Sequence, residues 1–195
     1  DDANGATTLT ITVADLNDQA PSFTSSDTVN VAEGATAVVT LAATDTDTAD
    51  AGGLAYAIVT DDPAAGTQFS LTGTSLTIAA QDYETPGCGA GADSRTCVVV
   101  VSATDDAGTA TQQTITVTIT DTNDQTPVYQ AADADDAISV NENVGTGSID
   151  AGTITDADTV GTYGCTLGGA DAADFACSIS GNTVNVAFAS SPDYD

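Results

Sequence analysis

The chain has 195 residues and a formal net charge of −28, because 29 Asp and Glu residues stand against one basic residue, Arg95, and there is no His. This charge excludes nucleic acid as a partner, since phosphate binding needs Lys and Arg. It excludes an anionic membrane surface for the same reason. A disordered acidic tail is also excluded, because 41% of the residues are hydrophobic and many of them alternate with Thr in long runs.

Period-two alternation predicts strands, and helical periodicity is nearly absent. A first run at 8–14 predicts the last strand of a preceding repeat. The next predicted strands are 22–31, 37–43, 54–60, 68–71, 75–79, 97–103 and 111–120. A later set echoes them at 137–140, 147–151, 162–167, 175–179 and 183–188. Seven short strands in about 100 residues predict an all-β fold of tandem Greek-key β-sandwiches with immunoglobulin-like topology.

One acidic stretch occurs twice and sets the period of the chain. Residues 15–21 read Asp-Leu-Asn-Asp-Gln-Ala-Pro, and residues 121–127 read Asp-Thr-Asn-Asp-Gln-Thr-Pro, 106 positions later. That spacing is the size of one β-sandwich domain. We therefore expect the last strand and linker of a preceding repeat at 1–21, a complete repeat at 22–126, and a truncated repeat at 127–195 that lacks its last two strands.

Carboxylates recur at matched positions of successive repeats. The only three Glu residues are Glu33, Glu84 and Glu142, and the first and last of these open successive repeats. Pairs at i and i+2 also recur: Asp45 and Asp47 match Asp156 and Asp158, and Asp82 and Glu84 match Asp193 and Asp195. Residues at i and i+2 of a strand share a face, so each pair aims two carboxylates one way. Oxygen ligands this dense suit calcium, which takes six to eight of them.

Together these motifs resemble the extracellular cadherin repeat. That family has an early Glu, an Asp-x-Glu, an Asp-x-Asn-Asp-x-x-Pro linker, an Asp-x-Asp in the next repeat and an Ala-x-Asp near the last hairpin. Here they are Glu33, 82–84, 121–127, 156–158 and 103–105. The resemblance covers essentially the whole chain and implies about three calcium ions at each complete repeat junction.

The resemblance also implies which residues bind calcium. At the middle junction they are the side chains of Glu33, Asp82, Glu84, Asp121, Asn123, Asp124, Asp156 and Asp158, with the backbone carbonyls of Thr122 and Gln125. At the first junction they are Asp15, Asn17, Asp18, Asp45, Asp47 and Asp105, with the backbone of Leu16 and Gln19. Half of a third junction is formed by Glu142, Asp193 and Asp195. The alternative for these acids is plain solvated charge, which we assign to 61–62 and 133–136 because they match no motif.

The four cysteines fall into two close pairs, Cys88 with Cys97 and Cys165 with Cys177. Four cysteines allow three connectivities, and partners within one repeat are expected to form short loop-closing disulfides. Metal ligation is the rival interpretation, but no Cys-x-x-Cys spacing and no His support it. Disulfides indicate an oxidising, extracellular compartment.

The sequence predicts a calcium-stiffened extracellular structural or adhesive repeat, a segment of a stalk or fibre. The alternative is a cadherin-type recognition module that pairs through another repeat. Trp is absent and aromatic residues make up only 5% of the chain, whereas recognition hot spots favour Trp, Tyr and Arg. An enzyme is not expected, because the acid pair of Asp82 and Glu84 recurs in the next repeat while a catalytic site is normally single.

The expected partners are neighbouring cadherin-like repeats of the same or an identical chain. Surface Thr and Ser could carry O-linked glycans, while no Asn-x-Ser/Thr sequon occurs. The truncated repeat is expected to be completed by further residues, or by strands donated head to tail from another chain. Residues 1–14 could supply one final strand, and nothing in the chain supplies a match for 97–103.

Overall fold

The computed structural model describes residues 8–47, 53–61, 67–88, 95–131 and 138–193. It divides into a first unit, Asp1–Thr120, and a second unit, Asp121–Asp195. Strands dominate both units, and helix is limited in the described residues to one 3-10 turn at Ala172–Asp174. No helix in these described ranges is long and apolar enough to cross a membrane.

The first unit is a β-sandwich. One sheet has the strand order β2 (Thr28–Ala32), β9 (Ala110–Thr120), β8 (Thr96–Thr104), β5 (Ala55–Thr60). The other layer has the order β3 (Ala37–Thr40), β7 (Ser75–Ile78), β6 (Phe69–Thr72), together with the short pair β1 (Ser22–Phe23) and β4 (Ala43–Thr44). Pairing is antiparallel except that β2 runs parallel to β9.

The core of the first unit follows from the alternation of its two long strands. Val99 and Val101 of β8 are fully buried, as are Ile115 and Val117 of β9, and the residues between them point outward. They join one hydrophobic cluster with Phe69 of the facing layer. Burying each such side chain stabilises the fold by about 1.5–3 kcal/mol. The predicted sandwich is therefore confirmed for this unit.

The second unit contains one antiparallel sheet among its described residues. Its strand order is β10 (Val128–Ala131), β11 (Ser148–Thr155), β13 (Thr183–Phe188), β12 (Phe175–Ser180). The ring of Tyr129 in β10 packs directly over Gly152 of β11, where any side chain would collide with it. This sheet corresponds to one layer of the first unit: β10 to β1, β11 to β4 and β3, β13 to β7 and β12 to β6.

Three predicted strands are wrong, and one observed strand was not predicted. Residues 8–14 and 162–167 form no strand, and neither do 138–140, the described part of the third segment. In the first unit the counterpart of 138–140 is β2, which pairs with β9. The counterpart of 162–167 is β5, which pairs with β8. The described part of the second unit has no counterpart of β8 or β9, so these segments lack a partner. The unpredicted strand is β10, which pairs with β11.

Both predicted disulfides are present. Cys88 and Cys97 join with their Cα atoms 5.0 Å apart, and Cys165 and Cys177 join at 6.2 Å. The first disulfide is buried in the core of its unit.

The interpretation of Asp61 as solvated charge is wrong. Its carboxylate oxygen Oδ2 accepts hydrogen bonds from the backbone N–H groups of Gln68 and Phe69, at 2.9 and 3.1 Å. Asp61 therefore holds the start of β6. Its neighbour Asp62 and the acids at 133–136 lie outside the described residues.

Candidate metal centres

In the first unit the Asp-x-Asp motif holds the linker by hydrogen bonds. Asp47 Oδ2 accepts from the backbone N–H groups of Asp18, at 2.8 Å, and Gln19, at 2.7 Å. The Gln19 side chain donates to Asp18 Oδ1 at 2.9 Å. Asp45 Oδ1 in turn accepts from the backbone of Asp47 at 3.0 Å. The acids of 15–18 and 45–47 are thus fixed beside one another.

The second unit repeats this geometry with its own linker. Asp158 Oδ2 accepts from the Gln125 backbone N–H at 2.8 Å, and the Gln125 side chain donates to Asp124 Oδ1 at 2.8 Å. Asp156 Oδ1 accepts from the backbone of Asp158 at 3.2 Å. Asp121 Oδ2 accepts from both the backbone and the hydroxyl of Thr159. Two occurrences of one arrangement indicate that the motif itself dictates it.

The Asn residue of each linker, Asn17 or Asn123, makes a side-chain contact of its own within its unit. The Asn17 side-chain amide, oriented to satisfy its surroundings, donates to Asp105 Oδ2 at 3.0 Å. Asp105 is 6% exposed and its Oδ1 accepts from the Thr109 backbone at 2.7 Å, which folds the β8–β9 loop around the carboxylate. Asn123 lies against Gly161, where an added Cβ would come within 3.1 Å of its side chain.

Glu33 stands in a turn that the residues on either side of Asp82 hold in place. Its Oε2 accepts from the Tyr83 backbone N–H at 2.8 Å, and Gly34 donates its backbone N–H to the Gln81 carbonyl at 2.8 Å. Gly34 has a φ of +71°, a region that glycine adopts without strain. The Glu33 carboxylate is thereby held next to the Asp-x-Glu motif.

The Asp-x-Glu motif is also braced from within. Asp82 Oδ1 accepts from the backbone of Glu84 at 2.9 Å, and its Oδ2 accepts from the Thr85 hydroxyl at 2.8 Å. That hydroxyl lowers the pKa of the Asp82 carboxyl. Arg95 lies over the Tyr83 ring at 3.9 Å from its centroid, and its Nε donates to the Tyr83 carbonyl at 3.0 Å.

The beginning of a third cluster has the same local frame. Asn143, which follows Glu142, has a φ of 63° and donates its backbone N–H to the Pro192 carbonyl at 2.8 Å. This bond is the counterpart of the bond from Gly34 to Gln81. The chain around Glu142 and Asp193 thus follows the path of the chain around Glu33 and Asp82. Asp195 lies outside the described residues.

Several carboxylate oxygens in these clusters are buried without a hydrogen-bond donor. In the described part of the chain, no partner reaches Asp45 Oδ2, either Glu84 oxygen, Asp121 Oδ1 or Asp158 Oδ1. A buried carboxylate oxygen without a partner is costly, and it is normally paired or coordinates a metal. These atoms are thus free to act as ligands.

The raised pKa values of two of these acids also favour a bound cation. Burial raises the pKa of the Glu84 carboxyl to about 6, and the negative charges of Glu33 and Asp82 add to the rise. Burial likewise raises the pKa of Asp158, with the charges of Asp156, Asp121 and Asp124 contributing. Each cluster would gain from a cation. The donor set is oxygen only, as hard divalent cations such as calcium require.

The structure collects most of the predicted ligands within each unit. In the first unit it gathers Asn17, Asp18, Gln19, Asp45, Asp47 and Asp105, and separately Glu33, Asp82 and Glu84. In the second unit it gathers Asp121, Asp124, Gln125, Asp156 and Asp158. The remaining linker residues Asp15, Leu16, Asn123 and Thr122 lie in the same short segments.

Sequence reasoning missed the residues that brace the acids. Thr159 had a signal, because the motif is Asp-x-Asp-Thr in both 45–48 and 156–159. Thr85 and Arg95 had no such sequence signal, since a single hydroxyl donor and a single stacked guanidinium leave no repeated pattern in the sequence. Thr159 and Thr85 donate hydrogen bonds to predicted ligands, and Arg95 holds the residue between two of them.

Many solved structures resemble the chain in fold, among them the three that follow, and a family model matches part of the chain. The family model described as the cadherin domain matches residues 27–120. The human desmocollin-1 ectodomain matches with a TM-score of 0.71 and 22% identity, over 91% of this chain and 35% of that chain. Protocadherin gamma B7 extracellular domains 1–4 match at 0.58 and 24%, over 92% and 43%. Mouse cadherin-23 EC22–24 matches at 0.57 and 24%, over 90% and 56%.

These likenesses bear on the fold alone, since each is below 25% identity. The chain spans less than two thirds of the length of each of these structures. No curated protein matches it in sequence.

Proposed function

Since residues 27–120 of this chain are a cadherin domain, we propose that the chain is a calcium-stiffened extracellular repeat, a segment of a stalk or fibre that holds surfaces together. Cadherin domains are extracellular adhesion modules that bind calcium. One observation carries the proposal for this chain: carboxylate oxygens that are buried and lack a hydrogen-bond donor occur within the acidic motifs of both units, at Asp45 and Glu84 in the first and at Asp121 and Asp158 in the second.

The proposed ligands are the acids of the linkers and of the motifs that follow or precede them. They are Asp15, Asn17, Asp18, Asp45, Asp47 and Asp105 for one junction, and Glu33, Asp82, Glu84, Asp121, Asn123, Asp124, Asp156 and Asp158 for the next. Backbone carbonyls of Leu16, Gln19, Thr122 and Gln125 complete the sets. Glu142, Asp193 and Asp195 begin a third set. About three ions at each complete junction would satisfy ligands of this number.

Stiffening follows from what a cation does to these charges. Without a bound cation, the acids of 121–124 repel the acids of 156–158. The two groups are held close together by the hydrogen bond from Gln125 to Asp158, and Asp158 is in turn hydrogen-bonded to Asp156. Bound calcium neutralises them and replaces repulsion by shared coordination. The hydrogen bonds from Gln19 to Asp47 and from Gln125 to Asp158 hold the linkers in place ahead of binding, so little ordering remains to be done.

The expected compartment and partners fit this role. Two disulfides suit an oxidising exterior. The partners proposed are neighbouring repeats of the same or an identical chain, and surface Thr and Ser are proposed carriers of O-linked glycans.

Small-angle scattering and calorimetry test the proposal on the intact chain. Calcium is expected to bind with several ions per chain and to lengthen and stiffen the particle, and a chelator is expected to reverse both. The double variant Asp121→Asn with Asp124→Asn should lose ions and length. Its matched control is Asp171→Asn with Asp174→Asn, which removes the same charge from exposed positions of the same unit. An unchanged particle length on adding calcium would overturn the stiffening role.

A further inference from the structure

The loop closed by Cys88 and Cys97, called here the disulfide loop, follows the Asp-x-Glu motif of the first unit. Both cysteines are buried, at 1% and 0% exposure, and Cys97 belongs to β8 of the core. The disulfide therefore ties the chain that leaves the motif to the rigid centre of the unit. Both ends of the loop, as far as the structure describes them, also contact the motif.

One contact comes from Gly87, the residue before Cys88. Its backbone N–H donates to Gln81 Oε1 at 3.0 Å. An added Cβ at Gly87 would lie 3.1 Å from that same oxygen, so the two residues are closely packed. Gln81 is the residue before Asp82 and is only 7% exposed. The start of the disulfide loop is thereby fastened to the start of the motif.

Gln81 is held by further hydrogen bonds. Its Nε2 donates to Gln68 Oε1 at 3.0 Å and to the Ala79 carbonyl at 2.8 Å. Its backbone carbonyl accepts from Gly34, the residue after Glu33, at 2.8 Å. A buried polar side chain with such bonds keeps one arrangement, because breaking a bond leaves a buried group unpaired. Gln81 therefore links the disulfide loop to the turn of Glu33.

The other contact comes from Arg95, two residues before Cys97. Its guanidinium lies over the Tyr83 ring and its Nε donates to the Tyr83 carbonyl, so it holds the middle residue of the motif. The Arg95 carbonyl accepts from the backbone N–H of Ile119 at 2.8 Å, and Ile119 is a buried residue of β9. The end of the disulfide loop is thus anchored on a core strand and reaches the motif from there.

We propose that the disulfide loop positions the ligands Asp82 and Glu84, and that calcium affinity at their cluster depends on the disulfide. This role rests on the calcium binding proposed for the chain. Ligands that are already in place bind an ion more tightly, because little ordering remains to be done. Gly87 and Arg95 hold Gln81 and Tyr83, on either side of Asp82, so the loop supplies that order in advance.

A disulfide that only stabilised the unit would act differently. Closing a loop restricts the unfolded chain and makes the whole unit harder to unfold. A positioning role is local, because opening the loop should loosen the motif first. The backbone N–H groups of Tyr83, Glu84 and Thr85 report on the motif directly, since they donate to the carboxylates of Glu33 and Asp82.

Two variants of the intact chain break the contacts, and a third leaves them in place. The paired change Cys88→Ala with Cys97→Ala opens the disulfide loop, and Gly87→Ala disturbs the Gln81 contact with the disulfide intact. Val101→Ala is the control, because it removes buried methyl groups from the core of the same unit and takes part in none of these contacts. Gly87→Ala decides the matter by itself if the paired cysteine variant does not fold.

Nuclear magnetic resonance gives two readouts for each variant. In chelator, the amides of 83–85 should exchange with solvent faster when the contacts are broken and should keep their rates in the control, because they open locally. In a calcium titration, the signals of 83–85 should show an affinity lowered about tenfold in the two broken variants. The signals of Asp18 and Gln19, which bond to Asp47 in the other cluster of the unit, should keep their affinity.

The outcomes separate this role from calcium binding itself. Unchanged calcium affinity at 83–85 in the broken variants would overturn the positioning role and leave the calcium proposal standing. An equal loss of affinity in Val101→Ala would also overturn it, since the disulfide would then act through general stability. If calcium shifts neither 83–85 nor 18–19 in the unmodified chain, the calcium proposal fails and the positioning role fails with it.

Discussion

Asp158 shows how one carboxylate can serve two roles, and its counterpart Asp47 shares the first of them. One oxygen of each accepts backbone N–H groups of the linker, and this fixes the course of the chain. In Asp158 the other oxygen is buried without a donor, and the residue is only 7% exposed. The structural role therefore places a negative charge where only a cation can satisfy it.

Replacement of Asp158 by Asn should act in opposite directions with and without calcium. The amide oxygen can still accept from Gln125, but the charge that repels Asp156 and Asp121 is gone. In chelator the melting temperature should rise by roughly 2–4 °C. With calcium the affinity should fall about tenfold, or about 1.4 kcal/mol, and the variant should be the less stable protein.

Thermal unfolding with and without calcium checks the reversal, and Asp171→Asn is the matched control. Asp171 is exposed and its side chain makes no capping hydrogen bond, so its replacement should change neither curve. Equal destabilisation of Asp158→Asn in both conditions would mean that Asp158 is structural only.

Arg95 is expected to support calcium binding without touching the ion. It stacks on Tyr83 and holds the Tyr83 carbonyl, between the two acids of the Asp-x-Glu motif. Arg95→Ala should lower calcium affinity about tenfold, as residues that orient ligands do. Arg95→Lys should restore little of it, because Lys lacks the planar guanidinium that stacks and donates together.

Calcium titration by calorimetry measures these effects, with Tyr83→Phe as the control. That change keeps both the ring and the carbonyl, so affinity should be retained. If Arg95→Ala binds calcium as the unmodified chain does, the contact only stabilises the fold. The proposed ligands could be selected from the sequence by their spacing, since carboxylates repeat with the motif. Arg95 was not, because its partner is a backbone carbonyl that any residue would offer.

At the scale of elements, alternation predicted strands well where a partner exists. The predicted segments 97–103 and 111–120 appear as β8 and β9 because each has neighbours on both sides. The segments 8–14 and 162–167 have the same alternation and form no strand. Side-chain pattern encodes which face is apolar, while a strand also needs a hydrogen-bonded neighbour, and the local sequence does not contain that information.

The two disulfides should differ in their response to reductant. Cys88 and Cys97 are 1% and 0% exposed and lie in the core, whereas Cys165 and Cys177 are half-buried beside the cavity of the second unit. Thiol–disulfide exchange needs access to the sulfur. Mild reductant should therefore open Cys165–Cys177 first, and Cys88–Cys97 should open only when its unit unfolds.

Alkylation after graded reduction, followed by peptide mass spectrometry, gives the order. Loss of the Cys88–Cys97 link by paired replacement with Ala should cost about 2–3 kcal/mol of stability, as expected for a short closed loop. Simultaneous alkylation of all four cysteines at low reductant would contradict the predicted order.

Across the whole molecule, the net charge of −28 makes the acidic residues repel one another. Salt and calcium reduce this repulsion in different ways. Monovalent salt screens charges that are apart, with a Debye length of about 3 Å at 1 M. It does not supply ligands to buried oxygens such as those of Glu84 and Asp158. Only an ion that enters the clusters can do that.

Calcium should therefore stabilise the chain in a way that salt cannot reproduce. A site held at a hundredfold excess over its Kd contributes about 2.7 kcal/mol, and several sites add to this. After chelation, the melting temperature should return with millimolar calcium and only partly with 1 M NaCl. Magnesium should be less effective, because it prefers a small octahedral shell and keeps its water. Full recovery with NaCl alone would show that the acids act as surface charge, and the calcium sites proposed for both units would then be rejected.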